Sequence, residues 1–360
     1  MRTDTLLSPP TDAPADAPTD LARLVDEAAA RAAAVDRGEL DLRPTLRELG
    51  AAGLLDLGLP GGPGSLADQA TVVHELARVC TATAFSVWAH RTALDYLARW
   101  GSEEIQRTLV PALVAGERPG ATAMATAFQA ALGLRELTVT ARELDGRVVL
   151  DGTIPWASNL FTDGAVVVLP ARTEAGRNLV VAITTDQAGV RLRPYPELLA
   201  LGSTASTTVT LEGVEVAVGR VLTDRFLDFL ADVRPSFLLL QTALCLGLAD
   251  ASIAASGPRH EGTLSTFRAD HDSLLARRAD LDAVYRRRLD APDPADDELV
   301  RLRLEASELA VEATRHEAAV TGGAGYLAAS ATARRLREAA FLPIQSPTEA
   351  QLRWELSRSR

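Results

Sequence analysis

The hydrophobic period of this chain changes twice, and the two changes limit the folds open to it. From Leu21 through Leu49, apolar residues recur at three- and four-residue spacing, the signature of one buried helix face. The loop Gly58-Leu-Pro-Gly-Gly-Pro-Gly64 follows. Ser65 then caps a helix that ends near Cys80. A further helix spans about 84–100, and Gly101-Ser-Glu-Glu opens one more, with acids placed to suit the helix dipole. Beyond residue 119 the pattern becomes β-rich and alternating: 137–141, 147–152, 165–169, 179–183 and 207–216 read as strands. No helical stretch separates them, which argues against a parallel sheet with crossover helices. From Asp224 the helical period returns and persists. Residues 226–256 form a long, very apolar helix, 259–289 and 296–321 are amphipathic and arginine-rich, 290–296 is the turn between them, and 328–340 is a last helix. The expected fold is α+β: a helical domain over 21–118, an antiparallel β-barrel or sandwich over 119–220, and a four-helix bundle within 221–360. Residues 1–20, rich in Pro, Asp, Thr and Ala, are expected to be a disordered lead.

Bulk properties exclude several classes of function. A length of 360 residues permits a large core. The net charge of -11 argues against nucleic-acid binding. All 37 basic residues are arginines, which compositional bias explains. Cys80 and Cys245 sit in apolar helical runs and read as buried free thiols of a reducing, cytoplasmic compartment. No membrane span and no signal-peptide core is expected. His74, His90, His260, His271 and His316 lack ligand spacing, so they read as structural and no metal site is predicted. There is neither a P-loop nor a Gly-x-Gly-x-x-Gly after a strand.

Two segments carry chemistry. In Asp151-Gly-Thr-Ile-Pro-Trp-Ala-Ser-Asn159, Trp156 and Ser158 are two apart on an extended stretch and so share a side. They can present an aromatic wall and a hydroxyl together. In Gly322-Gly-Ala-Gly-Tyr326, between two helices, glycines allow a ligand to approach the backbone closely. With the order of domains, these segments resemble the acyl-CoA dehydrogenase family of flavoenzymes over about residues 21–356. The resemblance implies FAD, with FMN possible. It implies that Trp156 packs on the isoalloxazine and Ser158 bonds near its N5. It further implies that Thr126 contacts the pyrimidine, that Gly322, Gly323 and Gly325 lie beside the dinucleotide, and that Arg259 stands near the phosphates. A homodimer or homotetramer is implied as well. The long apolar helix supports this, because a helix apolar on more than one face must be buried.

The departures from the family matter equally. The usual catalytic glutamate aligns with Ser346 and its alternative with Phe237, and neither can accept a proton. Glu349 is the candidate for a displaced base; no catalytic residue is otherwise assigned. The expected function is a flavin-dependent oxidoreductase acting on an acyl thioester of CoA or a carrier protein. Two alternatives stand beside it: a reduced-flavin-dependent monooxygenase on the same fold, and a non-catalytic scaffold.

Overall fold

The computed structural model describes residues 17–195, 197–291 and 297–358. Most of the expected N-terminal lead and of the 290–296 turn therefore lies outside the described residues.

The helical domain comprises α1 (Ala17–Asp36), α2 (Arg43–Ala51), α3 (Leu66–Val79), α4 (Thr81–Trp100), α5 (Glu103–Thr108) and α6 (Val110–Val114). Ser65 caps α3 with a full capping box: its hydroxyl accepts from the Asp68 amide, and the Asp68 carboxylate accepts from the Ser65 amide. Helix α4 is buried along nearly its whole length and forms the centre of the domain.

The β domain holds β1 (Gly120–Thr122), β2 (Val139–Leu144), β3 (Arg147–Ala157), β4 (Val166–Thr173), β5 (Asn178–Thr184), β6 (Val190–Pro194), β7 (Thr207–Ala217) and β8 (Val221–Thr223), with a short helix α7 (Ala125–Ala131) after β1. The strand order is β6-β7-β3-β2-β4-β5-β8, with β1 on β4. Most pairs are antiparallel, as the short connections require. Two are not: β1 and β2 both run parallel to β4. Nor does the sheet close into a barrel among the described residues, because β6 and β8 form its ends. The physical reason lies in β4 and β5. Val166, Val168, Val180 and Ala182 pack into the helical core, while Val167, Leu169, Val181 and Ile183 pack into a separate β core. A sheet covered by helices on one face has no need to curl onto itself.

The C-terminal part contains α8 (Phe226–Ser256), α9 (Arg268–Asp290), α10 (Asp297–Thr321), α11 (Ala331–Ala339) and α12 (Glu349–Arg358). Helix α8 matches the apolar run read from the sequence and is long and apolar enough to cross a membrane. However, 83% of its most apolar window is buried inside the chain itself. Helices α3, α4, α9 and α10 of the same chain cover it, so most of its apolar surface is buried without a second subunit. Close approach is built in at Gly247, where a Cβ would fall 2.4 Å from the His74 carbonyl oxygen on α3. Ser236 of α8 donates to Asp95 of α4 at 2.8 Å, and Asp95 also pairs with Arg91 and Arg99.

Candidate functional site

Where the three domains meet, a cavity of about 510 Å³ opens, within the range of small-molecule sites. Helix α4 contributes Phe85 and Trp88, the β domain contributes Thr126 and residues 154–158, and the bundle contributes Phe237, Phe341 and Ser346. The walls are aromatic. Phe85 stacks on Trp88 with centroids 5.4 Å apart, and meets Phe341 edge-on at 4.7 Å. Trp88 meets Phe237 edge-on at 5.0 Å and donates from its indole nitrogen to the Phe237 carbonyl.

The sequence places Trp156 and Ser158 here through an interrupted ladder. The pairing of β3 with β7 shifts register between Ile154 and Ala157. Pro155, which has no N–H to give, and Trp156 occupy the irregular stretch, and such a break re-aims side chains. Trp156 and Ser158 both line the cavity. The Trp156 indole is 56% exposed and lies flat against Tyr195. Ser158 Oγ is 2.7 Å from Ser206 Oγ, which in turn is 2.9 Å from Thr204 Oγ1. Asn159, the next residue, is buried in the left-handed region at φ 60°. Its amide nitrogen donates to the carbonyls of Ser86 and Gly120, and its oxygen accepts from Ser86 Oγ at 2.6 Å. One side chain therefore ties the end of the β3 segment to α4 and β1, next to the lining residue Ser158.

Thr126 also reaches the cavity, from the short helix α7. Alanine-rich 123–131 has the helix propensity to turn there.

Both family base positions, Phe237 and Ser346, stand on the cavity wall. Ser346 Oγ is buried with no hydrogen-bond partner, while its carbonyl accepts from Gln241 Nε2 at 2.8 Å. Gln241 Oε1 accepts from Arg303 Nε at 3.0 Å, and Arg303 also holds the Leu342 carbonyl and Gln345 Oε1. No carboxylate, imidazole or thiol lines the cavity among the described residues. Glu349 lies in the first turn of α12, outside the lining, paired with Arg353 at 2.8 Å. Glu338, next to the lining residue Arg337, is fully buried and faces away, accepting from Thr81 at 2.9 Å and pairing with Arg334 at 3.1 Å. Burial holds its carboxyl above the usual range. Burial likewise pushes the Cys80 thiol up to about 11, which removes it as a nucleophile. The two cations on the lining are Arg135 and Arg337, the latter paired with Asp36.

The remaining residues singled out from the sequence are elsewhere. Gly322–Tyr326 forms a 3₁₀ turn after α10; Gly322 has φ 65°, and a Cβ on Gly322 or Gly323 would meet nothing within 4 Å. Gly325 is buried, and Tyr326 is 92% exposed. Arg259 is exposed at the end of another 3₁₀ turn, Gly257–Arg259. Within one chain, neither segment lines the cavity. What the sequence did not reveal is that His260, His271 and His316 converge in the bundle. Burial lowers the proton affinity of His271 and His316, and the neighbouring His260 adds to that effect.

A helical domain, a mixed β domain and a helical bundle around one aromatic cavity define the acyl-CoA dehydrogenase class of fold. Residues 19–117 match the family description "Acyl-CoA dehydrogenase, N-terminal domain". That match lies in the helical domain, and the chain as a whole has the acyl-CoA dehydrogenase fold. Butyryl-CoA dehydrogenase from Megasphaera elsdenii superposes with a TM-score of 0.83 at 16% identity, over 99% of this chain and 100% of that one. The prolyl acyl carrier protein oxidase AnaB gives 0.83 at 19% identity, over 96% and 99%. A glutaryl-CoA dehydrogenase from Mycobacterium smegmatis in complex with FADH2 gives 0.77 at 18% identity, over 96% and 94%. A search of curated proteins by sequence finds no match.

Proposed function

We propose that this protein is a flavin-dependent oxidoreductase acting on an acyl thioester, carried by CoA or by a carrier protein. The observation that carries the reading is the convergence of Trp156, Ser158 and Thr126 on one cavity with the two family base positions, Phe237 and Ser346.

The residues present fit the ring of a flavin. A flat apolar wall is supplied by Trp156, and hydroxyls by Ser158 and Thr126. The buried Ser346 Oγ has no hydrogen-bond partner among the described residues and is available to a ligand. When bound, the flavin supplies the acceptor for hydride. Trp156 would cover one ring face, Ser158 would donate near N5, and Phe85, Trp88 and Phe237 would exclude water from the acyl chain. The dinucleotide end is assigned to Gly322, Gly323, Gly325 and Arg259. These lie off the cavity in a single chain, and the open ground above Gly322 and Gly323 leaves room for a ligand there. A homodimer or homotetramer that brings one protomer's turn to its partner's cavity would complete the site. Exposed Tyr326 and Leu327, the latter 67% exposed, support an interface beside that turn. FAD is favoured over FMN because the glycine turn has a use only for the longer cofactor. The AnaB and butyryl-CoA dehydrogenase likenesses support an acyl-carrier or CoA substrate. We place the protein in the cytoplasm, where the buried free thiols Cys80 and Cys245 remain reduced.

A second reading is favoured by the absence of any carboxylate on the described cavity wall. Removal of an acidic α-proton needs a base within hydrogen-bond reach, and a monooxygenase that receives reduced flavin does not need that proton removed. Purified protein tests both readings and the non-catalytic scaffold together. Visible flavin bands on the isolated protein, with turnover of an acyl thioester by an artificial electron acceptor, support the first. Turnover only with a flavin reductase and oxygen supports the second. A colourless protein that takes up neither FAD nor FMN would refute both and leave the scaffold.

A further inference from the structure

We propose that His260, His271 and His316 form a binding site for one divalent transition-metal ion of the zinc class. This site is separate from the cavity and does not depend on the flavin reading.

The three side chains come from three elements. His260 follows the 3₁₀ turn Gly257–Arg259, His271 stands in the first turn of α9, and His316 lies toward the end of α10. Their ligating atoms all lie within 4.8 Å of one another. Nε2 of His260 and Nε2 of His316 face each other at 3.3 Å. That separation matches the edge of a tetrahedron with metal–nitrogen bonds of about 2.0–2.1 Å, which is roughly 3.3–3.4 Å. His260 and His316 are buried and His271 is half-buried, so the pocket is enclosed with one accessible side. Hydrogen bonding alone leaves such a trio poorly satisfied, because one ring N–H can be shared with only one facing lone pair well. A metal ion takes all three lone pairs together.

The surroundings hold the rings in place. His271 Nδ1 is 3.3 Å from Ser256 Oγ, and an outer hydrogen bond of this kind orients a ligating imidazole. Arg268 donates to the His260 carbonyl at 2.8 Å and fixes the approach of that segment. Phe267 closes the side of His316 edge-on, with centroids 5.7 Å apart. Three imidazoles without a carboxylate select against magnesium and calcium, which prefer oxygen, and suit zinc, nickel, cobalt or copper. Three protein ligands leave a fourth position for water. The ion would clamp the stretch 257–267 to α9 and α10, and the same stretch carries Arg259.

The test uses the full-length chain, stripped with a chelator and titrated calorimetrically with zinc chloride. We expect one zinc ion per chain and no saturable heat with magnesium chloride. Cobalt(II) should give the intense visible bands of a four-coordinate site. His271→Ala, at a half-buried position, should weaken zinc binding by more than the roughly ten- to hundredfold that loss of an outer partner costs. His316→Gln should do the same, and His74→Gln, outside the cluster, should leave binding unchanged. Absence of saturable zinc binding would overturn the proposal. So would zinc binding that His271→Ala leaves intact, since that would locate the ion on surface acids.

Discussion

Trp156 lies flat on Tyr195, with ring centroids 3.8 Å apart and planes inclined by 15°. The Tyr195 hydroxyl donates to the Pro155 carbonyl and sits 2.9 Å from Thr208 Oγ1. The indole is thus braced from behind while its own face points into the cavity. An aromatic pair of this type contributes about 0.5–1.5 kcal/mol beyond its area burial. Because the indole is half-exposed, Trp156→Ala should lower the folding free energy by no more than about 1–2 kcal/mol. Flavin retention should fall at least tenfold. Thermal melting and absorbance after gel filtration measure the two effects separately. A large drop in melting temperature with full flavin occupancy would assign Trp156 to the core instead.

Asn159 carries more of the fold than its neighbours. Asn159→Ala removes donors to two buried carbonyls and puts alanine at φ 60°. Each buried group left unpaired costs about 1–3 kcal/mol, so a loss of about 3 kcal/mol is expected in denaturant unfolding. Asn159→Gly should recover roughly 1 kcal/mol of that, because glycine enters the left-handed region without strain.

His90 predicts how stability responds to acid. Its Nδ1 accepts from the Gly120 amide at 3.0 Å and its Nε2 donates to the Leu113 carbonyl at 2.9 Å, so the ring is held neutral. Burial depresses its pKa from 6.5 to about 4. The unfolded chain takes up this proton near pH 6.5 and the folded chain only near pH 4, so acid favours unfolding across that window. The full cost is about 3 kcal/mol, reached as pH falls to about 4 and absent at neutral pH. Denaturation midpoints measured from pH 7 to pH 4 should show this loss. His90→Gln should be less stable at pH 7 yet decline less steeply below it. Equal slopes for the two proteins would contradict the assignment.

Ser346→Glu should not create efficient acyl-CoA dehydrogenation. The Ser346 carbonyl is held by Gln241, which Arg303 holds in turn, and Pro347 has a fixed φ and no N–H. The segment therefore has little freedom to re-aim a new carboxylate. A misplacement of about 1 Å can cost roughly a hundredfold in rate. Turnover of an acyl-CoA with an artificial acceptor should stay within a few fold of the parent. A gain of about a thousandfold would show that the backbone is already shaped for the base.

The sequence was most legible where one period dominates. The run 226–256 appears as α8 with the same limits, and the alternation of 207–216 survives as the alternating burial of β7. Ser65 as a cap was readable because its partner Asp68 is three residues away. Two features were hidden because they depend on distant neighbours. Parallel pairing of β1 and β2 with β4 joins strands that are apart in sequence, and no local pattern encodes it. The histidine cluster joins positions from three elements whose spacing follows no ligand motif, so only the packing of the bundle reveals it. At the candidate site, the family resemblance pointed to Trp156 and Ser158, their two-residue spacing put them on one side, and both line the cavity. Asn159 was visible as a residue but not as the tie between three elements, since Ser86 and Gly120 lie far away in sequence.

The burial of α8 by its own chain separates two quantities that obligate assemblies usually merge. A protomer with its core already closed has no need of association to fold, so dilution should leave its melting temperature unchanged. If the glycine turn of one protomer completes the cofactor site of another, dilution would act on flavin occupancy alone. Protein concentration would then set how much of the population carries cofactor, while the folded fraction stays constant.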